Sequence, residues 1–322
     1  MSARPAAGAV RTVLGDVDAV SLGRVDAHEH LFQVSPLLPG EELDDELASG
    51  IEAAALAASG FDAMIDATPI GLGRRPEAVA RISRETGLTV IASTGLHREE
   101  HYPAGHWAHG LSVDDRAARF VTDLLVGMPV EDSPAGGPRA LGPDGGPVRA
   151  GVIKAGIGYW SISAFERATL AAVGAAHRDT GAPVMVHLEF CTAAHEVLDL
   201  LEAAGVASGR VLLAHADRDP NPALHLELAA RGAFLGYDGM ARPRIRSDAE
   251  LIDLTAAVVA AGASASILIG GDVARRTRYL AYGGMPGLGH LGERYLPRLR
   301  DRIGAATLGV ILQDNPQRFF VG

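Results

Sequence analysis

Short apolar runs recur along the chain, with longer mixed stretches between them. Eight runs read as strands, at residues 23–27, 63–67, 89–93, 151–154, 183–187, 211–215, 233–237 and 266–270. Several are apolar without alternation, the pattern of strands buried on both faces of a parallel sheet. Apolar residues at three-to-four spacing predict helices over 41–59, 75–86, 164–180, 199–204, 222–230 and 248–261. Gly60, Gly87, Gly181, Gly205, Gly232 and Gly262 each stand where a helix should stop. This alternation predicts an α/β protein, a TIM barrel of eight strand–helix units. An open doubly wound sheet is the structural alternative. It is disfavoured because no glycine-rich phosphate fingerprint follows the first strand.

Two segments interrupt the rhythm. Residues 129–150 are dense in Gly and Pro and predict an irregular surface insertion on the face opposite the active site. Residues 95–111 follow the third strand and carry four histidines with Tyr102 and Trp107. This predicts a substrate loop on the catalytic face. The uncharged run 254–271 approaches the length of a membrane span. Gly262 in its middle makes it a helix end, a stop and a strand instead.

Composition narrows the function. A chain of 322 residues, 48% hydrophobic and 21% charged, fits one large soluble domain over 1–322. The net charge of −10 argues against nucleic acid as a partner. The first eleven residues lack the apolar core of a secretory signal. The one cysteine, Cys191, permits no intrachain disulfide, so a reducing, cytoplasmic setting is expected. The expected partners are a small-molecule substrate and, as an assembly, a second copy of the chain; no membrane is expected.

The strand ends carry the chemistry. His28 and His30 lie two apart in Val-Asp-Ala-His-Glu-His-Leu (25–31), so in a strand both point to one side. Lys154, His187, His215 and Asp272 stand at or near the ends of later strands, where barrel enzymes place their reacting groups. Imidazole and carboxylate donors suit zinc, manganese or iron at a hydrolytic site. An ammonium would repel a metal. A lysine in an apolar strand has a lowered pKa, however, and can take up carbon dioxide as a carbamate whose two oxygens could bridge two ions. The alternative is a Lys154 that pairs with Asp272 or lies at the barrel rim.

The whole chain resembles the phosphotriesterase-like branch of the amidohydrolase superfamily. The matching pieces begin with 25–31, Asp-Ala-Thr-Pro-Ile-Gly-Leu-Gly-Arg (66–74), Ile-Ser-Arg-Glu-Thr-Gly-Leu (82–88) and Ser-Thr-Gly-Leu-His (93–97). They continue with Ala-Gly-Val-Ile-Lys-Ala-Gly (150–156), Val-His-Leu-Glu (186–189), Leu-Ala-His-Ala-Asp (213–217), Gly-Tyr-Asp-Gly (236–239), Gly-Gly-Asp (270–272) and Asp-Asn-Pro-Gln-Arg-Phe (314–319). The resemblance implies a TIM barrel with a binuclear metal centre at the C-terminal ends of its strands. His28, His30 and Asp272 would hold the more buried ion, and His187 and His215 the more exposed one. N6-carboxylated Lys154 and a hydroxide would bridge them. The ions would be zinc, with manganese, cobalt or iron as alternatives. Asp272 would accept the proton of the attacking water. Apart from the resemblance, Asp217 and Asp238 could orient the ligands or serve as capping and structural residues, and Glu189 could face the cavity or form a salt bridge. Where many relatives carry Trp or Tyr after Thr-Gly-Leu, this chain has His97, which alters the pocket wall.

The expected activity is hydrolysis of a lactone or other carboxylic ester, possibly anionic and sugar-derived. N-acyl amides and phosphotriesters are alternatives on the same centre, and a non-catalytic metal-binding scaffold is the alternative outside enzymes. Arg242, Arg244, Arg275 and Arg276 could clamp a substrate anion. His97, Tyr102, Trp107, Tyr159 and Trp160 could wall the pocket.

Overall fold

The computed structural model describes residues 4–321; the first three residues of the polar N-terminal stretch, and Gly322, lie outside them. An antiparallel hairpin, β1 (Ala9–Thr12) and β2 (Gly15–Asp18), precedes the barrel. Eight strands then pair in chain order, all parallel. They are β3 (Val25–Glu29), β4 (Ala63–Asp66), β5 (Thr89–Gly95), β6 (Ala150–Gly156), β7 (Val184–His187), β8 (Val211–Ala214), β9 (Phe234–Tyr237) and β10 (Ile267–Ile269). Every strand run expected from the apolar pattern is present. Each is buried along its whole length, apart from Thr89 at the start of β5, because helices cover the sheet from outside while side chains fill its interior. Val25, Ile65, Ile91, Val152, Met185, Leu212 and Leu268 form the inner core.

The helices α1 (Glu46–Ala58), α2 (Pro76–Thr86), α3 (Val113–Leu125), α4 (Ala164–Thr180), α5 (Ala194–Ala203), α6 (Pro222–Ala230) and α7 (Asp248–Ala260) lie between the strands. After β10 come α8 (Leu296–Ile303), α9 (Ala305–Gly309) and α10 (Asn315–Val321), with π-helical turns at Leu291–Tyr295 and Val310–Asp314. The helix expected from residue 41 starts only at Glu46. Asp45 caps it by accepting from the Ala48 amide, and Leu43 is drawn into a bridge with Gln33. Helix α5 begins five residues before its expected start. No described helix is long and apolar enough to cross a membrane, and the 254–271 run divides at Gly262, φ +92°, between α7 and β10.

Segment 129–150 is irregular, with bridges only at Pro129–Arg139 and Leu141–Pro147. It is nonetheless tied to the barrel and, contrary to the expected placement on the opposite face, reaches a loop at the C-terminal ends of the strands. Asp132 accepts from Arg74 and from the Gly71 amide, in the loop after β4. Arg74 also reaches Asp123 of α3 at 2.9 Å and the Ser93 carbonyl of β5. This buried ion cluster pins the insertion against the wall.

Removing one partner of a buried ion pair strands the other in low dielectric. Arg74→Met should therefore cost about 3–5 kcal/mol in urea unfolding. Arg84→Met, at the solvated pair with Asp144 on the same insertion, should leave the midpoint in place.

Candidate metal centre

The C-terminal ends of five strands bring His28, His30, Lys154, His187, His215 and Asp272 together. His28 and His30 follow each other on one side of the chain leaving β3. Their Nε2 atoms stand 3.7 and 3.6 Å from Asp272 Oδ1, across the seam from the end of β10. Lys154, on β6, is fully buried, with Nζ 3.3 Å from His28 Nε2. His215, just past β8, puts Nε2 2.8 Å from Nδ1 of His187, the last residue of β7.

The proton positions on these rings follow from their partners. A carboxylate only accepts, so both rings touching Asp238 donate to it from Nδ1: His28 at 2.9 Å and His215 at 2.6 Å. The Thr68 hydroxyl donates to the Phe32 carbonyl, so it accepts from His30 Nδ1 at 2.8 Å. All three Nε2 lone pairs therefore face inward. His187 donates from Nε2 to Glu189 at 2.9 Å, which leaves its Nδ1 lone pair facing that of His215. Two lone pairs at 2.8 Å repel unless a cation joins them. Burial makes a proton a poor candidate: it holds His187 well below the usual imidazole range, lowers His215 and pushes His28 down to about 3.

Charge at the site obeys the same constraint. Burial pushes the Lys154 ammonium down to about 8. Burial opposes ionisation of Asp272, yet Arg242, His28 and the rings around it hold it well below the usual carboxylate range. Burial likewise works against Asp238, and the His215 and His28 rings hold it low. Burial, then Asp238, raises Asp217 to about 7; Asp217 accepts from the Gly239 amide. His28, His30 and Asp272 offer one donor atom each within 4.8 Å of one another, so the donor set fits a metal ion. A second convergent trio, His28, His215 and Asp238, consists of the imidazole–carboxylate hydrogen bonds just described.

His28, His30, His187, His215 and Asp272 floor a cavity of about 740 Å³. Of the residues expected to bind substrate, His97, Arg242 and Arg275 line it, as does Arg244. His97 Nδ1 accepts from the Arg98 amide at 2.8 Å, which assigns its proton to Nε2. Its ring packs at a tilt, with its centroid 4.5 Å from that of His187 and 4.0 Å from that of His101. Arg242 is committed to Asp272 and to the Asp238 carbonyl.

The other expected wall residues stand elsewhere. Tyr102 is buried, its hydroxyl donating to the Ile70 carbonyl and accepting from the His97 amide, so it supports the wall from behind. Trp107 packs against the core under Arg119. Tyr159 and Trp160 are exposed and border a neighbouring hollow with Phe190 and Arg218. Arg276 turns outward over Tyr282, towards Asp44. Sequence reasoning passed over Thr68, Arg98, Arg218 and Arg278, and counted His101, which lines the cavity beside His97, only among the four histidines of the 95–111 loop. Arg98 pairs with Glu189, Arg218 with Asp272, and Arg278 donates to the Asp272 carbonyl. Thr68 lies inside the 66–74 motif, and that position was its only signal.

Comparison with known proteins identifies relatives along nearly the whole chain. The phosphotriesterase homology protein of Escherichia coli is 29% identical over 259 residues, 80% of this chain and 82% of that protein. The phospho-furanose lactonase of Mycoplasmopsis synoviae is 26% identical, covering 96% of this chain and 90% of that one. The crystal structure of a lactonase from Listeria monocytogenes superposes with a TM-score of 0.86 at 28% identity, over 97% of this chain and 98% of that one. Residues 8–320 match the phosphotriesterase family, and the chain belongs to it.

Proposed function

We propose that the protein is a metal-dependent lactonase whose substrate carries an anionic group, a phosphate or carboxylate on a small sugar-derived lactone. The observation that carries this reading is at the cavity rim. Arg244 and Arg275 line the cavity and are exposed, and among the described residues their guanidiniums have no hydrogen-bond or ion-pair partner, in a chain of net charge −10. Unpaired guanidiniums above an imidazole and carboxylate floor suit a ligand with an anionic end and a hydrolysable acyl group. Two relatives named as lactonases, one of them for phospho-furanose substrates, support the same choice.

His28, His30 and Asp272 would hold one divalent ion, and His187 and His215 a second. Lys154 would be shared between them as a carbamate. Its amine attacks carbon dioxide, a nitrogen–carbon bond forms and a proton leaves. Zinc suits these donors, and the two ions would activate a water as nucleophile and polarise the acyl oxygen. Asp272 would accept the proton of the attacking water, and Arg218 and Arg242 fix its carboxylate. His97 presents an Nε2–H donor to the substrate, while Arg244 and Arg275 hold its anionic end.

Wild-type protein should hold about two ions per chain. Lys154→Ala should lose metal and turnover together, and short carboxylic acids should restore part of both. Full metal content and activity in Lys154→Ala without additive would sink the carbamate. The pH dependence has a definite sign. Only the neutral amine reacts, so at fixed dissolved carbon dioxide the reactivation of metal-stripped protein by zinc should quicken about tenfold per pH unit. It should level off above about 8.

Arg275→Met should lower kcat/KM about tenfold or more for a phosphorylated furanose lactone and leave the matched neutral lactone nearly unchanged. Equal losses on both substrates would remove the support for an anion clamp.

A further inference from the structure

The barrel closes without a strand ladder. β3 is registered to β4 and β10 to β9, but β10 and β3 share no register with each other. Three successive amides after β10 instead donate to groups of β3. Gly271 N–H reaches Asp26 Oδ1 at 3.3 Å, Asp272 N–H the His28 carbonyl at 2.7 Å, and Val273 N–H Glu29 Oε2 at 3.0 Å. Asp26 and Glu29 are both fully buried. Asp26 Oδ2 and Glu29 Oε1 have no hydrogen-bond partner. A buried carboxylate is costly unless its contacts repay desolvation, and these two meet backbone amides.

The glycines make the approach possible. A Cβ on Gly271 would stand 2.0 Å from Glu29 Oε1, and one on Gly270 would stand 2.6 Å from the His28 nitrogen. Asp272 itself has φ +41°, a conformation that non-glycine residues resist.

We infer that Asp26 and Glu29 are positioning residues for Asp272, clamping the loop that bears it to the strand that bears His28 and His30. The inference rests on the reading of Asp272 as metal ligand and proton acceptor. The clamp works by reach. Glutamine at 29 keeps an oxygen at the same distance from the Val273 amide. Aspartate keeps the carboxyl group but withdraws it by one methylene.

The test uses the full chain: wild type, Glu29→Gln and Glu29→Asp. Zinc retained per chain, kcat and KM on a furanose lactone, and thermal unfolding are measured for each. Glu29→Gln should keep its zinc and most of its kcat. Glu29→Asp should fall about ten- to a hundredfold in zinc affinity or kcat, with KM little changed. Glu29→Asp performing as well as Glu29→Gln, or both matching wild type, would overturn the clamp. If Glu29→Asp does not fold, Glu29→Gln decides alone, because a role for the charge would empty it of zinc. Wild-type protein that neither retains zinc nor hydrolyses a lactone overturns the hydrolase reading, and the clamp with it.

Discussion

One carboxylate orders the centre. Asp238 lies between His28 of one strand end and His215 of another, accepting an Nδ1 proton from each. Both rings are thereby fixed in tautomer and in rotation, with their Nε2 lone pairs turned to the same space. The group is buried, so its charge would be costly alone, and two imidazole donors are what make it tolerable. Thr68 does the same for His30, and Glu189 for His187, with neutral and charged acceptors respectively. Donors that must arrive deprotonated are held so by the groups behind them.

The fold was legible because its strands have a single environment. A strand covered on both faces reads as an apolar run, and the reactive residue at its end stands out against that run, as Lys154 does in Gly-Val-Ile-Lys. Glycine at the helix ends was equally readable: Gly87 and Gly181 sit at φ +73° as left-handed caps. Helix α3 was missed because its apolar stripe is narrow, with Phe120 and Leu124 buried among charged neighbours. The segment after β10 was missed because Pro297, Pro316 and two π-turns break its period.

Loop direction was the part the sequence could not carry. Tyr102 and Trp160 each follow a strand by a few residues, yet one turns into the core and the other into solvent. That difference depends on contacts distant in sequence, such as the Ile70 carbonyl that receives the Tyr102 hydroxyl. Arg275 and Arg276 make the same point at adjacent positions: the first lines the cavity and the second stacks on Tyr282. Periodicity places a residue on an element, and only the folded loop decides what it faces.

Among the described residues, the left-handed backbone of non-glycine residues is confined to one side of the molecule. Trp160, Phe190, Cys191, Ala193, His215, Ala241, Asp272 and Ala274 all have φ between +41° and +64°, and all follow the C-terminal ends of β6 to β10. Such conformations cost about 1–3 kcal/mol each, so the catalytic face draws on stability supplied by the apolar barrel and helix layers beneath. This gives the chain a division of labour that favours evolvability. Loops on the strained side can drift towards new substrates while the scaffold holds the buried histidines, Lys154 and Asp272 in register, for as long as its surplus of stability lasts.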